Sequence, residues 1–361
     1  MNRNDYISYI IHNGINLQNY QVVEIIGSII NKNFIIELEK ALYYSGAKEV
    51  YINYNDDEVM NEKINNGYSL YINQDIDKYI KLIEKKFTRI IVKTEFVNFN
   101  HYSEMKISEY KKSMRMLKFV EDYFVDLCSQ KTICCAANKY WAAKLNMTEE
   151  SLWQKIYYLV SYKSDALAQI EKLNSLNLTD IEIKTDLGTK LKVRLTDDFV
   201  FATSRLITKD GIEFIQNIPS LEIFTSPNRY LVDGKIVSSK PLKYKGKIID
   251  NIKLTIRNGK IINLSDYNFD SNYEYIGEIG ILETITEDFY YSKLLDENTA
   301  THIGLGKSYP YGIKQLDKIN NSLSHLDIVI GDSSIEVYGY NKKEKYIIIE
   351  KGKLKIEKIY G

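Results

Sequence analysis

The sequence predicts an α/β N-terminal domain on a mainly parallel sheet, followed by a β-rich α+β C-terminal domain that carries a metal site. Three observations predict this. In the first half, short apolar runs alternate with amphipathic helical stretches. Past residue 177 the texture changes to alternating strands joined by Gly-, Asn- and Asp-containing turns. In that second half, acids and histidines sit inside otherwise apolar strands.

The elements follow in order. "NDYISYIIHNGI" (4–15) has helical spacing and "QVVEIIG" (21–27) reads as a short strand. "NKNFIIELEKALYYSGAKEV" (31–50) is a helix with an Asn cap and a Gly stop, leading into the strand "VYINYN" (50–55). The alternation repeats with a helix at 75–87, the strand "RIIVKTE" (89–95), a helix at 103–124 and the strand "KTICCAA" (131–137). Strands separated by helices of this length imply parallel pairing under a helical cover. Two more helical stretches, 148–163 and 164–177, precede the boundary placed near residue 177, dividing the chain into 1–177 and 178–361. Beyond it, "TDIEIKTDLGTKLKVRLTDD" and "KIIDNIKLTIRNGKIINLS" alternate with period two.

Composition excludes several classes. The chain has 361 residues, with 48 Lys+Arg against 48 Asp+Glu, so a basic excess suited to nucleic acid or an anionic membrane is missing. No run of about 18 apolar residues predicts a transmembrane helix, and the N-terminal stretch lacks the continuous apolar core of a secretory signal. Cys128, Cys134 and Cys135 are odd in number and have no metal or disulfide spacing, which suggests a reducing cytoplasm. "VVEIIGSIINKN" lacks the Gly-rich fingerprint, so the α/β half does not imply a dinucleotide.

The chemistry gathers near the C-terminus. In "SHLDIVIG", period-two alternation puts His325 and Asp327 on one strand face, with Ser324 on the other. A nitrogen and a carboxylate side by side suit a divalent metal, although this segment taken alone favours a hydrogen-bonded histidine at a strand end. Glu278 in "YEYIGEIGILE" and Glu222 in "NIPSLEIFTSPN" are carboxylates in apolar strands, costly to bury unless paired or bound to metal. A salt bridge to Lys or Arg would also satisfy Glu278. His302 in "LDENTATHIGLGKSYPYG" completes the set. Five such donors exceed what one zinc needs and fit a pair of ions sharing a carboxylate and a water.

These segments together resemble the aminopeptidase T / aminopeptidase S family of dinuclear metallo-aminopeptidases. "NIPSLEIFTSP", "IGEIGIL", "LDENTATHIGLGKSYP" and "NNSLSHLDIVIG" are similar to that family's motifs and stand in its order. Weaker likeness in "YISYIIHNGINLQNYQVVEI" and "KYWAAKLN" extends it over most of the chain. The resemblance implies metal ligands at Glu222, Glu278, His302, His325 and Asp327, and an active-site tyrosine at Tyr309. Asp296 and Glu297 are expected to orient His302. It implies two divalent ions (zinc, cobalt or manganese), peptide substrates and a homodimer. The reaction expected is release of the N-terminal residue of a peptide by metal-activated water. Tyr309 would donate to the oxyanion, and Glu222 or Glu278 would relay the proton. Another two-metal peptidase such as a dipeptidase, or an inactive metal-binding relative, is the alternative. His12 and His101 lie in the other domain and are read as ordinary residues.

Overall fold

The computed structural model describes residues 1–66, 72–95, 112, 114–162, 166–245, 247–310 and 312–359. The chain forms two compact units, and each half of the predicted fold class is found. One unit comprises 1–161 and 204–220, the other 162–203 and 221–361.

The first unit holds a four-stranded parallel sheet in the order Glu49–Asn55, Val22–Ser28, Thr88–Lys93, Lys131–Cys135. Its first helix, Arg3–Tyr9, starts at a capping box in which Asn2 and Asp5 satisfy each other's backbone N–H. The expected helix after residue 31 runs Lys32–Tyr44 and stops before Gly46, whose φ of 98° a glycine adopts without strain. Asn31 stands at its N-cap position but does not cap; its amide holds the Ala137 carbonyl at 2.8 Å instead. Of the helix expected over 103–124, the described part forms Lys118–Val125; the remainder, like His101, lies largely outside the described residues. Glu24 is fully buried on the second strand of the sheet, and Arg89 Nε donates to it at 2.7 Å, which compensates the desolvated charge.

The single boundary near residue 177 does not match these units. The helix Ala166–Ser175 belongs with the β-rich unit, and the segment 204–220 returns to the first. The reason is an open sheet edge. Ile133 donates to Gln216 at 2.7 Å and accepts from Ile218 at 2.8 Å, so residues 216–218 extend the pairing of Lys131–Cys135.

The second unit contains an eight-stranded sheet. Its order is Lys260–Ile261, Lys253–Arg257, Pro227–Val237, Lys190–Leu195, Asp180–Lys184, Glu336–Tyr340, Lys345–Glu350, Lys353–Ile359. A second sheet of four antiparallel strands runs His325–Val329, His302–Gly306, Ile276–Ile281, Ile223–Thr225. Both sheets feed one apolar core, with Ile181, Val193 and Val232 from the first and Ile279, Ile303 and Ile328 from the second. No described helix is long and apolar enough to cross a membrane.

Candidate metal centre

The small four-stranded sheet gathers all five predicted donors. Glu278 pairs across to Gly304, and Gly304 pairs on its other side with Asp327. His302 lies opposite Gly280, and His325 opposite Gly306. Glu222 immediately precedes the outer strand Ile223–Thr225. Long-range register thus converts four distant segments into one cluster.

Two groups of donor atoms result, each with its members within 4.8 Å of one another: Glu222, Glu278 and His302, and Glu278, His325 and Asp327. His302 Nε2 is 3.2 Å from Glu222 Oε2 and 3.3 Å from Glu278 Oε1. His325 Nε2 is 2.7 Å from Asp327 Oδ1 and 3.9 Å from Glu278 Oε2. The two oxygens of Glu278 are therefore divided between the groups. The predicted sharing of one strand face by His325 and Asp327 is found.

Both imidazoles are aimed by backbone carbonyls. His325 Nδ1 sits 2.7 Å from Lys307 O, and His302 Nδ1 faces Ala300 O at 3.4 Å. That leaves Nε2 of each ring turned to the acids, the arrangement ligating histidines adopt. Asp296, expected to orient His302, does another job: it accepts from the Tyr290 and Ser292 backbone N–H groups at 2.8 and 2.9 Å and so builds the turn ahead of the strand. Glu297 is buried in the same region. Burial, together with the charges of Glu222 and Asp327, pushes its carboxyl well up.

Burial and mutual charge shift Glu222, His302, His325 and Asp327. Burial raises the Glu222 carboxyl, opposed by its contact with His302. Burial would lower His302, but Glu222 and Glu278 outweigh it and raise the imidazole well above its ordinary value. His325 is likewise raised, Asp327 outweighing burial. Asp327 is held well below the usual carboxylate range, since His325 and Lys293 outweigh its burial. Without metal, the acids thus favour the protonated form of both rings.

Several residues that sequence reasoning passed over build this cluster. A Cβ on Gly304 would stand 2.5 Å from His325 Cε1 and 2.8 Å from Glu278 Cβ, and one on Gly280 would collide with the His302 ring. Glycine inside a strand is a signal of such close approach. Asn298 accepts from the Leu221 N–H at 2.8 Å, tying the turn before His302 to the segment that presents Glu222. Tyr309 is fixed by Ser226, whose hydroxyl accepts from the Tyr309 N–H and donates to its carbonyl. Its ring lies 5.1 Å from that of His325 and 5.8 Å from that of Phe224. Lys293, also passed over, puts its ammonium 2.9 Å from Asp327 Oδ2.

A family model described as thermophilic metalloprotease (M29) matches residues 2–354. The chain belongs to the M29 thermophilic metalloprotease family. It is 26% identical to aminopeptidase AmpS of Bacillus subtilis over 93% of this chain and 94% of that protein. It is 24% identical to aminopeptidase 2 of Geobacillus stearothermophilus, over 92% of each. Among solved structures, wild-type AmpT from Thermus thermophilus superposes with a TM-score of 0.84 at 20% identity, covering 98% of this chain and 99% of that one. That likeness shows a shared fold.

Proposed function

We propose that this M29 protein is a metal-dependent aminopeptidase that removes the N-terminal residue of peptides. In this reading Glu222, Glu278, His302, His325 and Asp327 would hold two divalent ions. One observation carries the reading: two donor groups, each of two carboxylates and one imidazole, share Glu278 and divide its oxygens. The donors fit such ions, because both rings offer Nε2 and every other ligand is a carboxylate oxygen. These donors suit zinc, cobalt or manganese alike.

Ions bound there supply Lewis acidity and a water activated near neutral pH. The chain's own groups do the remainder. Tyr309, whose ring lies beside that of His325, would donate a hydrogen bond to the peptide oxygen as it gains charge. Burial raises its phenol, so it stays a donor across the working pH range. Glu222 and Glu278 offer carboxylates to accept the proton and pass it to the leaving amine, and Glu297 adds a third buried one. The resemblance to the family also supports a cytoplasmic homodimer, which sedimentation at working concentration tests.

The deciding experiment compares aminoacyl chromogenic substrates with their N-acetylated forms. Activity on the free amines should vanish on chelation and return with zinc, cobalt or manganese, while blocked substrates stay uncleaved. Full turnover by protein shown to be metal-free would end this reading.

A further inference from the structure

The two donor groups are chemically alike but electrostatically unequal. Among the described residues, neither Glu222 nor Glu278 is ion-paired to a lysine or arginine; each meets histidine only. Asp327 differs. Its Oδ1 faces His325 Nε2 at 2.7 Å, and the Lys293 ammonium lies 2.9 Å from its Oδ2 as an ion pair, without a hydrogen bond. The Asp327 side chain is 5% exposed, whereas that of Lys293 is 54% exposed and reaches in from the short helix Lys293–Asp296. A fixed positive charge therefore rests on a donor of one group and not of the other.

We propose that Lys293 is a positioning residue that makes the two metal positions unequal: the Glu222–Glu278–His302 position fills first, and the Glu278–His325–Asp327 position fills second and more weakly. The inference rests on the two-ion reading above. The effect is electrostatic: the charge of the lysine, 2.9 Å from Oδ2, repels an ion at Asp327. An ammonium on one carboxylate oxygen lies on the order of 5 Å from a divalent ion on the other. Even with the dielectric of water between them, such a pair repels enough to weaken binding about tenfold. Glu278 feels the first ion as well, but that effect is common to any variant at position 293.

The test is a titration of chelator-stripped protein with cobalt(II), followed by d–d absorption and by calorimetry, so that the readout is binding and not turnover. Wild type should take up two ions in separate steps. Lys293→Met should tighten the second step at least about tenfold and leave the first in place. Lys293→Arg, which keeps the charge, should retain the wild-type gap. Lys293→Gln removes the charge while keeping a polar side chain at this half-exposed position, and should also tighten the second step; it is the safer variant should the Met protein fold poorly. A second step that is unchanged or weaker in both neutral variants would overturn the role of Lys293 while leaving the two-ion reading intact. Two wild-type ions bound with one common affinity would do the same. A wild type that binds fewer than two ions would overturn both.

Discussion

Gly304→Ala perturbs the centre without touching a donor. The new Cβ would stand 2.5 Å from His325 Cε1 and 2.8 Å from Glu278 Cβ, whereas ordinary contact begins at 3.4 Å. The His325 ring must then retreat by about 0.9 Å, the difference of those two distances. Glu278 Cβ is anchored to a buried strand and cannot yield without moving backbone. Functional metal–ligand distances hold within about 0.2 Å, so a shift of this size takes His325 out of range. We expect a stability cost of about 1–3 kcal/mol from overpacking, and a loss of affinity for the second ion of about a hundredfold or more. Gly339→Ala is the control: its Cβ would meet Leu178 Cδ1 at 2.8 Å, a similarly close but purely apolar contact in the other sheet of the same unit. The assay pairs thermal denaturation with metal content after dialysis. The control should lose stability but keep its ions. A Gly304→Ala protein that retains two ions at wild-type affinity would refute the argument that this glycine clears space for the ligands.

Further outcomes are expected. Tyr309→Phe should lower kcat about a hundredfold to a thousandfold with KM and metal content nearly unchanged, as for loss of one oxyanion donor; wild-type kcat with both ions bound would remove Tyr309 from the chemistry. The raised His302 and His325 hold their protons to higher pH than free imidazoles do in the metal-free protein. Their contribution to stability is complete below the ordinary histidine value and fades as pH rises through the raised values; that of the lowered Asp327 is present at neutrality and fades only as pH falls through its depressed value. Metal uptake near pH 7 should therefore release protons, measurable with an indicator dye, and fewer as the pH is raised; uptake without proton release would contradict these shifts. Replacing Cys128, Cys134 and Cys135 together by Ser should leave metal content and turnover intact, because all three lie in the first unit; the two buried positions carry whatever stability is lost. Metal loss from the folded triple variant would count against the ligand set.

Sequence by itself determined what depends on local periodicity and residue chemistry. Helices and strands alternate up to residue 137 because apolar spacing switches between 3.6 and 2. His325 and Asp327 share a face because strand side chains alternate, and the five donors stood out as ionisable groups in apolar strands. Tertiary structure decided what depends on register and return of the chain. Residues 204–220 go back to the first unit because a sheet edge at Lys131–Cys135 needs backbone partners, a need no local pattern records. The opposition of Glu278, Gly304 and Asp327 is a property of three strands at once, so the clearing role of Gly304 is invisible in any one of them. Asp296 spends its carboxylate on two backbone N–H groups, while carbonyls of Ala300 and Lys307 aim the imidazoles. Lys293 reaches Asp327 across 34 positions of sequence, which puts a charge on one donor group only because the fold folds that helix back onto the strand.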